Sequence, residues 1–162
     1  MPTTPDALIA RLAGLGISVA VHHHPPVFTV EESKRLRGAL PGGHCKNLFL
    51  KDRKDRLWLV VALEDRAVDL KALRLTIGSA PLSFASPALL RSILGIEPGA
   101  VTPFAVVNDT EGRVTVVLDQ EMMGLERLNY HPLTNARTAA IRPDDLLAFL
   151  RSTGHEPRIL AL

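Results

Sequence analysis

Lys46-Asn47-Leu48-Phe49-Leu50 is followed, across the charged segment Asp52-Arg53-Lys54-Asp55-Arg56, by Leu57-Trp58-Leu59-Val60-Val61-Ala62-Leu63. Two apolar runs joined by a short charged turn predict a β-hairpin. Lys46 opens the first strand directly after the glycine turn Pro41-Gly42-Gly43. A lysine at a strand mouth can present a compact ammonium to a phosphate or a carbonyl. A surface lysine whose stem lies along the strand is the other reading of the same residue.

Helix and strand signals alternate on both sides of this hairpin. Thr4-Pro5 reads as an N-cap and first helical position, with Leu8, Ile9, Leu12 and Leu15 on one face and Gly16 as the stop. A short strand is expected over residues 18–22. Thr29-Val30-Glu31-Glu32 has the form of a capping box and predicts a helix to about Leu40. A short helix over residues 69–76 closes on Gly78, and Ser86-Pro87 opens another that ends at Gly95. Residues 104–107 and 114–118 predict a second hairpin around Asn108-Asp109-Thr110-Glu111-Gly112. A last helix is expected over residues 143–151 and a last strand over 158–160. Hairpins mixed with helices argue against a doubly wound parallel sheet. The expected fold is mixed α/β: a largely antiparallel, curled sheet or partial barrel with helices packed outside, and a small pocket at one end.

At 162 residues the chain suits a single domain, 1–162, with one sizeable core. Aromatic residues make up only 4%, which disfavours a base-stacking platform. A net charge of +2 permits contact with a polyanion without requiring it. The mean hydropathy of +0.14 disfavours disorder. Cys45 is the only cysteine, so there is no disulfide framework. The first ten residues lack a signal-peptide pattern, and no apolar stretch suits a membrane span. The expectation is a cytoplasmic protein with no membrane partner.

Several features carry possible chemistry. In His22-His23-His24, the first and third side chains share one strand face, and two ligands are too few for zinc. Metal-dependent hydrolysis through this cluster is therefore a rival reading, and no metal or cofactor is expected. His44 is poorly placed as a base for Cys45, because adjacent strand residues point to opposite faces. Gly99-Ala100-Val101-Thr102-Pro103 can expose backbone N–H and C=O groups in a fixed shape, suited to a water or an oxyanion. His131 can line a pocket or cap an element. Motifs for P-loop, dinucleotide and nucleophile-elbow chemistry are absent, as is any DNA-reading motif, so no DNA partner is expected.

Taken in order, the motifs resemble a known family. They are His24-Pro25 with Thr29-Val30-Glu31-Glu32; Lys46-Asn47-Leu48-Phe49-Leu50; Val68-Asp69-Leu70-Lys71; Leu82-Ser83-Phe84-Ala85-Ser86; Leu94-Gly95 with Pro98-Gly99-Ala100-Val101-Thr102-Pro103-Phe104; Asn108-Asp109; and His131-Pro132-Leu133-Thr134-Asn135. Together they resemble the free-standing prolyl-tRNA editing proteins of the YbaK/ProX-like superfamily, which includes the editing domain inserted in bacterial prolyl-tRNA synthetases. The Lys46-Asn47 form is similar to the alanine-specific branch.

This resemblance implies a YbaK-like fold and hydrolysis of the ester between alanine and the terminal adenosine of proline tRNA. A proline site cannot exclude the smaller alanine, since missing methylenes give only about 1–3 kcal/mol of discrimination, so a second, smaller pocket corrects the error. By position, the resemblance implies that Lys46 contacts the terminal adenosine or its phosphate, with Asn47 in support. The loop of Gly99, Ala100, Val101, Thr102 and Pro103 would hold the ribose hydroxyls and the attacking water. His131 would line the pocket, and Val30 and Ser33 would set its size. Catalysis would draw on the substrate's own 2′-hydroxyl. The implied partners are the tRNA(Pro) acceptor end carrying misattached alanine, and prolyl-tRNA synthetase. Ser33, as a polar group, keeps the seryl ester open as an alternative, and the cysteinyl ester is another. A tRNA-binding module without hydrolysis is the reading from another class.

Overall fold

Thr4 and Pro5 start the first helix as their chemistry predicts. The Thr4 hydroxyl accepts from the Ala7 N–H at 3.1 Å, and α1 runs over Pro5–Gly14. The computed structural model of the protein describes residues 2–25 and 42–162. The predicted capping box and its helix lie outside them. Chain order continues with β1 (Ala20–His23), β2 (Gly43–Asp52), β3 (Leu57–Leu63), α2 (Leu70–Ile77), β4 (Leu82–Phe84) and α3 (Pro87–Leu94). It ends with β5 (Val114–Asp119), β6 (Leu128–Tyr130), β7 (Arg137–Ile141), α4 (Pro143–Ser152) and β8 (Arg158–Leu160). Among the described residues, no helix is long and apolar enough to cross a membrane.

The strands form one mixed sheet in the order β1-β7-β6-β2-β3-β5-β8, with β4 against β2. The predicted hairpin is its centre: β2 and β3 pair antiparallel from Cys45↔Leu63 to Lys51↔Leu57. β1–β7, β6–β7 and β2–β4 are also antiparallel, whereas β2–β6, β3–β5 and β5–β8 are parallel. The sheet stays open, with β1 and β8 at its ends.

The second predicted hairpin does not form. Residues 103–108 make a 3₁₀ helix instead, with Pro103 in its first turn and the Thr102 hydroxyl accepting from the Phe104 N–H at 3.3 Å. A short apolar run has no period of its own, and this cap decides between strand and helix. β5 pairs in parallel with β3 and β8.

The sheet buries both faces. On one, Phe49, Leu59, Val61 and Leu118 pack with Leu8 and Leu12 of α1, Leu94 of α3 and Phe149 of α4. Phe104 joins this cluster edge-on to Phe149, with ring centroids 5.4 Å apart. On the other face Leu50, Trp58, Val60 and Val117 meet Leu73 and Ile77 of α2. Polar staples hold the ends together. Asn108 accepts from the Thr3 N–H at 2.8 Å and donates to the Leu94 carbonyl at 2.8 Å. Asp109 takes the backbone N–H groups of Arg113 and Val114 and pairs with buried His155 at 2.8 Å, tying the segment after α4 to the start of β5.

Candidate functional site

β2 is the strand on which the candidate site is built. Its start is brought close to β6 by two glycines. Gly42 has φ +99°, and a Cβ there would lie 3.1 Å from the Arg127 carbonyl oxygen. Gly43 donates to that same carbonyl at 2.9 Å, and Asn129 Nδ2 donates to the Gly43 carbonyl at 3.2 Å. β6 then pairs with β2 only at Gly43↔Leu128 and His44↔Asn129. Farther along the same edge, β4 pairs with Leu50, Lys51 and Asp52, and Ala85 donates to the Phe49 carbonyl. Among the described residues, therefore, the stretch 45–48 has β3 on one side and no strand on the other. The parallel register of β6, carried two residues on, would bring His131 level with Lys46.

Side chains at this gap alternate between the sheet's faces. Lys46 shares a face with Leu48 and Leu50, and its ammonium donates to the Arg66 carbonyl. Asn47 shares the opposite face with Phe49, and its Oδ1 is buried without a hydrogen-bond partner among the described residues. Cys45, also on that side, is half-buried and its thiol is pushed up to about 12. Burial is the main cause; the hydrogen bond with the Tyr130 hydroxyl opposes it, and the nearby Glu64 and Asp119 carboxylates add smaller upward effects. The thiol thus stays protonated at neutral pH and is a poor nucleophile.

His131 follows β6 directly. Its Nδ1 lies 3.0 Å from the Arg137 carbonyl, an acceptor only, so Nδ1 carries the proton and the Nε2 lone pair is left to accept. Burial holds its pKa below the ordinary 6.5, and neighbouring His24 lowers it further against the opposing Arg137 bond. The His24 ring centroid is 6.3 Å away. His24 is itself fixed, with Nε2 at 2.9 Å from the Thr138 hydroxyl. No group of three or more His, Cys, Asp or Glu among the described residues could hold a metal ion.

Two residues past His131, Leu133 has φ +67°, in the left-handed region. Such a conformation in a non-glycine residue costs about 1–3 kcal/mol and is characteristic of functional loops. It turns the chain so that Leu133, Thr134 and Asn135 face Gly99, Ala100 and Glu97 around a cavity of about 320 Å³. A Cβ at Gly99 would lie 3.4 Å from the Asn135 amide nitrogen.

The structure thus brings Gly99 and Ala100 together with the loop that carries His131. It separates them from the rest of the predicted 99–103 loop: Thr102 and Pro103 are buried and Val101 is half-buried, and none of the three lines that cavity. Lys46 makes no hydrogen bond to this loop or to His131 among the described residues. Val30 and Ser33 lie outside the described residues. Sequence reasoning missed Asn135 as a neighbour of Gly99, and Arg66 and Asp119 behind Lys46. Nothing in their spacing marks them.

An aminoacyl-tRNA editing domain model matches residues 24–149. A "Prolyl-tRNA synthetase associated domain-containing protein 1" from Bos taurus is 45% identical over 95% of this chain and 92% of its own length. A "Prolyl-tRNA editing protein ProX" from Acetoanaerobium sticklandii is 38% identical over 97% of this chain and 96% of its own. The fold is shared with a solved candidate trans-editing enzyme for prolyl-tRNA synthetase, at TM-score 0.72, 24% identity, and coverage of 98% of this chain and 96% of that one. With a family model spanning most of its length and relatives matched nearly end to end, the chain belongs to the aminoacyl-tRNA editing domain family.

Proposed function

We propose that the protein, as a single domain over residues 1–162, is a trans-acting deacylase that removes alanine from mischarged tRNA(Pro). The observation that carries this reading is the gap at residues 45–48 among the described residues, with the Lys46 ammonium on one face and, on the other, a buried Asn47 amide oxygen that has no partner among them. Lys46 and Asn47 reach the two opposite faces of the sheet beside that open edge. Lys46 has donors to spare for the 3′-terminal adenosine or its phosphate. Asn47 Oδ1 is an acceptor whose isolation costs about 1–3 kcal/mol until a donor arrives. The α-ammonium of the aminoacyl group or a ribose hydroxyl supplies one.

In the reaction, a water oxygen bonds to the ester carbonyl carbon, the bond to the ribose oxygen breaks, and that oxygen takes up a proton. The ester is already activated, so orientation accounts for most of what the site must provide. The neutral His131 Nε2 accepts a hydrogen bond from the attacking water or the ribose, and the substrate's 2′-hydroxyl assists. The backbone at Gly99 and Ala100 holds the ribose side, with Val101, Thr102 and Pro103 supporting that turn from the core. The side-chain pocket, for which Val30 and Ser33 are candidates from the sequence, admits alanine and excludes proline. The partners are the tRNA(Pro) acceptor end and prolyl-tRNA synthetase, in the cytoplasm.

The test is deacylation of Ala-, Ser-, Cys- and Pro-tRNA(Pro) by the purified protein. Loss of the alanyl ester with the prolyl ester intact is expected. Preferred loss of the seryl or cysteinyl ester reassigns the side-chain pocket, and binding without loss of any ester identifies a non-hydrolytic module.

A further inference from the structure

Lys46 does not stand alone at the gap, and the groups behind it form an ordered chain. Its ammonium donates to the carbonyl of Arg66, just past the end of β3, where the Arg66 N–H closes a turn on the Leu63 carbonyl at 3.1 Å. The Arg66 guanidinium is engaged on three sides. Nε donates to Asp119 Oδ2 at 2.7 Å, one terminal nitrogen to the Leu162 carbonyl at 2.6 Å, and the other to Glu121 Oε2. Asp119 is fully buried as the last residue of β5, and its place is fixed by pairing with β8 at Leu160.

We propose that Arg66 is a positioning residue for Lys46: Asp119 and Glu121 hold the guanidinium, the guanidinium holds the Arg66 backbone, and the Arg66 carbonyl holds the ammonium. A lysine side chain has many accessible rotamers, so an ammonium on a free stem seldom occupies one place. A turn carbonyl would by itself share the motion of the turn. The guanidinium removes that motion, because its planar fork is bound to three acceptors at once. One of these is a buried carboxylate at the end of β5, which is paired on both edges by β3 and β8. Lys46 keeps two further N–H donors for the substrate. The consequence for the rate rests on the role of Lys46 proposed above, whereas the tether itself does not.

Two readouts on Arg66→Ala, Asp119→Asn and Lys46→Ala test the proposal. The first is trace acetylation of the whole protein with acetic anhydride, followed at each lysine by mass spectrometry. The expected result is that Lys46 is labelled several-fold faster in Arg66→Ala and Asp119→Asn than in the parent, with Lys51 and Lys71 unchanged. Equal Lys46 labelling in all three proteins overturns the tether, whatever the activities. The second is the single-turnover rate on Ala-tRNA(Pro). Arg66→Ala is expected to slow the chemical step about tenfold with little change in KM, since displacing a placed group acts on the rate. Combined with Lys46→Ala it adds nothing, because both changes remove one arrangement. A double variant about tenfold slower than Lys46→Ala alone overturns the proposal in favour of a separate structural role for Arg66. Full activity of Lys46→Ala with faster Lys46 labelling in Arg66→Ala instead removes Lys46 from the reaction while leaving the tether intact. Asp119→Asn keeps shape and volume, so it serves both readouts if Arg66→Ala fails to fold.

Discussion

At its C-terminal end β2 is flanked by β3 and by β4, and its last side chain is saturated with donors. Asp52 is buried, and takes the backbone N–H groups of Lys54 and Arg56 at 2.9 and 3.0 Å and the Arg56 Nε at 3.0 Å. At its N-terminal end the same strand has, among the described residues, a neighbour on one edge only along residues 45–48, and Asn47 Oδ1 is buried with no hydrogen-bond partner among them. One end thus meets every requirement of a folded interior, and the other leaves a requirement open. The difference separates groups that hold the fold from groups that await a ligand, along one strand of ten residues.

Substitutions at the two ends should fail in different currencies. Lys46→Ala is expected to slow single-turnover deacylation of Ala-tRNA(Pro) by about 100-fold, the scale of losing one placed electrostatic group, while thermal unfolding is nearly unchanged. Near-parent rates would move the site away from the gap. Asp52→Ala should do the reverse, lowering stability in urea unfolding by about 2 kcal/mol, because several buried donors lose their acceptor, with the rate per folded molecule retained. The acid side of the stability curve tests the same group. Burial pushes the Asp52 carboxyl up, and the hydrogen bonds from Arg56, Lys54 and Trp58 together outweigh it, leaving its pKa below 3.8. Its contribution is therefore present above that ordinary value and lost as pH falls through the depressed one, so the acid slope in that window should flatten in Asp52→Ala.

Asn47→Ala is expected to cost about tenfold in rate, and to leave stability unchanged or slightly raised, since it deletes a buried acceptor that has no donor. A clear loss of stability would show that the oxygen is satisfied in the free protein, and would erase the contrast between the ends. The smallest effect concerns His131. With its pKa held below 6.5, its neutral, accepting form persists into mildly acidic solution, so the acid limb of the rate profile should fall below pH 6.5. His131→Asn should remove that limb. A limb above pH 6.5 would mean that the imidazole is not acting as the neutral acceptor.

Where an element begins and ends was largely written in local chemistry. Thr4-Pro5 supplies the start of α1, and Asp69 with Gly78 and Ser86-Pro87 with Gly95 each supply a cap for one end and a stop for the other, and the helices start and finish there. The hairpin of β2 and β3 could be read because its two apolar runs flank a charged turn. Residues 104–107 could not, because four apolar residues satisfy strand and helix equally until Thr102 and Pro103 act. At the site, Lys46, Asn47, Gly99 and His131 were legible only as members of an ordered motif set. Their partners Arg66 and Asp119 were not, and Asn135, although it closes the last motif, could not be read as the neighbour of Gly99, since each meets its partner from a distant segment.

By itself, the sequence determined the caps, the central hairpin and the motif order that marks the family. These depend on bonds and periods that span a few residues. The tertiary structure alone decided that β3 and β5 run parallel, that no described strand lies on the second edge of β2 at residues 45–48, and that the Lys46 ammonium meets the Arg66 carbonyl. Those outcomes follow from how the two sheet faces are buried together, which no local stretch of chain encodes.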